Sequence, residues 1–62
     1  MLQPGTVVRL KRGTDIIAKY QGHDAIIERR ARGEPCPAYY VRCLGDPLYV
    51  FENEFVEVQN VD

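Results

Sequence analysis

The side chains able to do chemistry are few, and their spacing limits what each can do. His23, the sole histidine, stands beside Asp24 just after Gly22. In an enzyme such a carboxylate would orient the imidazole as a general base. Adjacent residues on a strand point to opposite faces, so the pair reads as a solvated turn instead. Cys36 and Cys43 are too few for a zinc site and, without a secretion signal, are expected to be reduced thiols. Cys36 lies between Pro35 and Pro37 and reads as an exposed loop thiol. As a nucleophile it would need a base and a lowered pKa, and only Arg30 and Arg32 lie upstream. Cys43 falls at an alternating apolar position and reads as a small core residue. Asp46, Glu52, Glu54 and Glu57 make an acidic C-terminal region. A hard cation needs several oxygens converging from one loop, which this spacing lacks. No catalytic residue, metal site or cofactor is therefore expected.

The basic residues carry more information. All of the eight except Lys19 fall in three short stretches: Arg9, Lys11 and Arg12; Arg29, Arg30 and Arg32; and Arg42. On neighbouring strands the outward arginines would form one basic patch, with Tyr40 among them. Such a surface suits an acidic protein partner or RNA. Glu28 and Glu34 interrupt it. Arg9, Arg29, Arg30, Tyr40 and Arg42 are the expected binding residues. Val7, Ile26, Tyr40 and Tyr49 are a second outward set, apolar and of the kind that marks an interface.

These residues need strands to position them. Thr6 to Leu10 is rich in β-branched residues and reads as a first strand, with Thr6, Val8 and Leu10 inward. Lys11 to Asp15 is a polar loop. The segment 16–20 reads as a short strand or an apolar loop; a helix there has little room between Gly13 and Gly22. Ala25 to Arg30 is a second strand, with Ala25 and Ile27 inward. Gly33, Pro35 and Pro37 mark a surface loop after it. Ala38 to Leu44 is the clearest strand, with Tyr39, Val41 and Cys43 inward. Gly45-Asp46-Pro47 reads as a tight turn and Leu48 to Phe51 as the fourth strand. Glu52 to Phe55 fits one 3₁₀ turn, with Phe55 plugging the end of the fold. Val56 to Val58 is the fifth strand, and 59–62 is a fraying tail.

Length and composition agree. A chain of 62 residues is one domain, 1–62, whose small core is marginal by itself. With 45% hydrophobic and 10% aromatic residues it is globular rather than disordered. A net charge of −1 argues against strong nonspecific nucleic-acid binding. No apolar run approaches the ~20 residues a membrane helix needs. The start Met1-Leu2-Gln3-Pro4-Gly5 has no targeting pattern, so a cytoplasmic protein without a membrane partner is expected. Short strands separated by turn signals point to an all-β, five-stranded antiparallel barrel, closed so as to remove its edges.

The order of these elements resembles the SH3-like barrels, including KOW and Tudor-type modules. The residues that carry this are Pro4-Gly5-x-x-Val8-Arg9, Gly22-x-x-Ala25-x-Ile27, Tyr40-Val41-Arg42 and Glu54-Phe55-Val56-Glu57-Val58. A KOW motif has a second glycine where Ala25 stands. A Tudor cage would draw on Tyr20, Tyr39, Tyr40 and Tyr49, with no tryptophan. The opening from Met1 to Leu10 is similar to the small ferredoxin-docking subunit of photosynthetic NDH-1 complexes. The layout from Tyr40 to Val58 is similar to the type II dihydrofolate reductases, which form a tetramer around a pore. Their Val-Gln-Ile-Tyr strand corresponds to Leu48-Tyr49-Val50-Phe51, which lacks the glutamine.

The expected function is a small non-catalytic interaction module: an accessory subunit or homo-oligomer binding a protein through the basic-aromatic face. The alternatives are KOW- or Tudor-like RNA binding and a pore-type oligomeric enzyme.

Overall fold

The computed structural model describes residues 2–31 and 36–58. The chain is all-β. Five antiparallel strands, β1 (Val7–Leu10), β2 (Asp24–Ala31), β3 (Ala38–Cys43), β4 (Asp46–Phe51) and β5 (Phe55–Glu57), form one sheet in the order β4-β3-β2-β1-β5. Two 3₁₀ turns, Ala18–Tyr20 and Glu52–Glu54, complete the fold. The second falls where it was expected, just before the last strand.

Alternation sorts the side chains. Val8 and Leu10 of β1, Ala25 and Ile27 of β2, and Tyr39, Val41 and Cys43 of β3 are all buried. With Val50, Phe55 and Tyr20 they make a single core, against which Leu2, Ile16 and Leu48 pack. Every strand contributes, so the sheet curls around one cluster. Burying an aliphatic side chain such as Ile27 or Val41 is worth about 1.5–3 kcal/mol. Tyr39 and Phe55 meet edge to face at 5.7 Å, which seats Phe55 at the end of the core as expected.

The expected closure does not occur. The sheet is open, and β4 and β5 are its two edges. β5 has only three residues, all used in pairing with β1 (Val8↔Glu57, Arg9↔Val56, Leu10↔Phe55). The second 3₁₀ turn separates it from β4.

Two local expectations are also corrected, and one left open is decided. The β3–β4 turn is Leu44-Gly45 rather than Gly45-Asp46-Pro47. Cys43 pairs with Asp46, leaving two residues with φ of 52° and 81°. Paired positive φ is the geometry that matches strand twist in a two-residue hairpin. β4 therefore starts at Asp46 and includes Pro47, which an edge strand tolerates. Of the strand and the loop left open for 16–20, the structure has the loop, in which Ala18–Tyr20 makes a 3₁₀ turn that drops Tyr20 into the core. β2 runs one residue further at each end than Ala25 to Arg30. The loop expected at 32–35 and the tail at 59–62 lie outside the described residues.

Gln21, which drew no attention as a sequence position, organises the long β1–β2 loop. Its Nε2 donates to the carbonyls of Thr14 (3.1 Å) and Ile16 (2.6 Å), and its Oε1 accepts from the Gly13 N–H (3.1 Å). One amide side chain thus substitutes for the ladder that the loop lacks.

Candidate functional site

The outer face is shaped by an irregularity in β2. Ile27 pairs with Val41, but Arg29 pairs with Tyr40, so Glu28 is an extra residue and the strand carries a bulge. Unbroken alternation would send Arg29 the same way as Ile27, into the core. The bulge turns it outward. Its guanidinium then lies over the ring of Tyr40, 4.1 Å from the centroid.

Tyr40 is the first member of an aromatic row. It meets Tyr49 edge to face at 5.4 Å, and Tyr49 meets Phe51 the same way at 5.6 Å. Cross-strand pairing explains the first contact, since Tyr40 and Tyr49 are directly opposite. The second joins alternate residues of one strand. The next row holds Ala31, Ala38 and Phe51. Ala31 and Ala38 are buried yet belong to no part of the main core. The outer face therefore carries a small apolar layer of its own, from which Tyr49 emerges 46% exposed.

Of the five expected binding residues, three come together here: Arg29, Tyr40 and Arg42. Arg42 stands beside Tyr40 on the same face but is already occupied. Its Nε pairs with Glu28 Oε2 at 3.0 Å and its Nη1 donates to the Gly45 carbonyl at 3.0 Å. Arg9 is two strands away and pairs with Asp24 at 2.9 Å. Arg30 is opposite Tyr39 in register, on the other face of the sheet from Arg29, and is exposed. The arginines thus do not merge into one basic field. Phe51 belongs with the group but was not among the expected residues. Its shared parity with Tyr49 was the signal.

The other reactive side chains are engaged in structure. His23 is exposed, and its neighbour Asp24 is held by Arg9. Asp46 accepts from the Tyr20 hydroxyl at 2.7 Å and lies 3.7 Å from Lys19 Nζ. That hydroxyl holds the Asp46 carboxyl below its ordinary range, and Lys19 adds to the effect. The same bond pushes the Tyr20 phenol up, with burial assisting. Glu52 accepts from the Tyr39 hydroxyl at 3.2 Å, and Glu54 from the Phe51 N–H at 2.9 Å. Both cysteines are free. Cys43 is buried, which raises its thiol pKa, and Cys36 is half-buried rather than exposed. Among the described residues no three potential metal ligands cluster. Among them, too, no helix is long and apolar enough to cross a membrane.

The chain matches no family model, no curated protein and no solved structure. The geometry of this face is what a functional reading must rest on.

Proposed function

We propose that the chain is a small interaction module, which binds a protein surface through the outer face formed by Arg29, Tyr40, Tyr49 and Phe51. The partner we favour is a second copy of itself. The observation that carries this reading is the half-exposed aromatic row lying beside β4, an edge strand. Aromatic residues and arginine are the side chains that supply most energy at protein interfaces. An unpaired edge is a template for another chain. A core this small also gains from added burial. A standard interface takes about 800 Å² per partner, and this chain's whole surface is 4468 Å². A second copy would cover both the aromatic row and the β4 edge.

RNA binding is less well supported, because Arg9 and Arg42 are neutralised within the chain. We keep the SH3-like resemblance as a proposal; the meander from β1 to β4, with β5 returning to β1, supports it.

Sedimentation velocity across micromolar to millimolar concentrations tests the reading. A concentration-dependent dimer that Tyr49→Ser reverts to monomer is expected. A strictly monomeric wild type at millimolar concentration would overturn self-association. A tetramer stable at micromolar concentration would favour the pore-type arrangement instead.

A further inference from the structure

Away from the aromatic row, at the β1–β2 end of the sheet, lies an open cleft of about 1000 Å³. Its lining includes Arg9, Lys11, Arg12, His23, Leu44 and Val56. Three permanent cations meet one carboxylate there, Asp24, which Arg9 already holds at 2.9 Å. Among the described residues neither Lys11 nor Arg12 takes part in an ion pair. This is a positive site on a chain whose net charge is −1. Arg12 is also positioned. Its guanidinium lies 3.0 Å from where a β-carbon on Gly22 would stand, so the absent side chain makes room for it.

A second, independent observation concerns Leu44. It is the single non-glycine residue with positive φ among the described residues, at 52°. Leucine is disfavoured in that conformation, where glycine or asparagine is the ordinary choice. The side chain gains little from the fold in return, being 54% exposed. It stands in the cleft wall with Val56, itself 49% exposed. Strain retained at an exposed position points to a task for the side chain.

We propose that this cleft binds a short acidic segment of a partner protein: a carboxylate on Arg12 and Lys11, and a neighbouring apolar side chain on Leu44 and Val56. Guanidinium and carboxylate match in planar geometry and charge, and Lys11 adds a second donor group. The apolar wall favours a peptide over a nucleic acid, since Tyr and Phe are missing from the lining and the imidazole of His23 is a smaller stacking surface than either. The cleft shares no residue with the aromatic row, so the two sites stand or fall separately.

The test is an amide chemical-shift titration of the full chain with a short acetylated peptide of alternating Glu and Leu. Controls are the same peptide with Gln for Glu, and single-stranded oligouridylate. Shifts centred on Lys11, Arg12, Gly22, Leu44 and Val56 are expected, with the Gln peptide silent. Arg12→Gln should weaken binding about tenfold, and Leu44→Asn by a smaller factor while the fold becomes more stable. The spectrum of each variant reports its own folding. Overturning results are no localised shifts at millimolar peptide, equal binding of the Gln peptide, unchanged affinity in Arg12→Gln, or tighter binding of the RNA at the same residues. Tyr49→Ser, which tests the aromatic face, should leave this titration unchanged.

Discussion

The guanidinium of Arg29 stacks on the ring of Tyr40 at 4.1 Å, and it can do so only because Glu28 is an extra residue in the strand. Tyr49 and Phe51 extend the pair edge to face. Arg29→Ala removes the stack without opening the core. A loss of about 0.5–1 kcal/mol is expected, measurable by urea denaturation. Arg29→Lys should recover only part of it, since an ammonium lacks the planar stacking of a guanidinium. If association runs through this face, Arg29→Ala should also weaken it by more than the change in stability accounts for.

Tyr20 and Asp46 predict the pH dependence. The folded-state pKa of Asp46 is lowered, so its stabilisation is present above the unfolded carboxylate value, about 4, and is lost as pH falls through the folded value. The folded-state pKa values of Tyr20 and Cys43 are raised, so their stabilisation is present below their ordinary values and is lost as pH rises through the folded ones. Thermal melting should therefore be flat near neutrality and fall at both extremes. In Tyr20→Phe the acid limb should become shallower, because Asp46 loses its donor. Thermal scans at intervals from pH 3 to 10 would check this. An unchanged acid limb would contradict the assignment.

Leu44→Asn should stabilise the fold. The residue it replaces sits at φ 52° on an exposed hairpin tip, where asparagine is at ease. A gain of about 1 kcal/mol is expected from relief of the left-handed conformation. Denaturant midpoints of the two proteins, compared at equal slope, read it directly.

Gln21→Ala should loosen the β1–β2 loop while leaving the sheet intact. Each lost hydrogen bond is worth about 0.5–1.5 kcal/mol. The Gly13 N–H, in particular, loses the acceptor it has here. Faster amide exchange confined to residues 13–21, with β3 amides unaffected, is the expected signature.

The strands were legible because alternation has a strict physical cause. Val8, Leu10, Ala25, Ile27, Tyr39, Val41 and Cys43 are all buried, as their parity implied. The departures lie where parity breaks or where a long-range contact decides. Leu44 carried no turn signature, so the hairpin was placed one residue late, on Gly45-Asp46-Pro47. The bulge at Glu28 has no composition of its own. Its one trace was an arginine at Arg29, a position that unbroken alternation would bury. Closure was inferred from the general liability of sheet edges, and a three-residue β5 did not provide it. The basic patch was read by counting arginines, but Glu28 and Asp24 are cross-sheet neighbours of Arg42 and Arg9, and those pairings depend on register. Gln21 could not stand out, since its three partners come together only when the loop folds back.

Between Ile26 and Ala31, Glu28 is the one residue of β2 with no position opposite it in β3. Deleting it would leave Arg29 directly after Ile27, so plain alternation would keep Arg29 outward and opposite Tyr40 while the kink straightened. What the strand would give up is the carboxylate that pairs with Arg42. A shortened β2 should accordingly fold in the same phase, with more positive charge on its outer face.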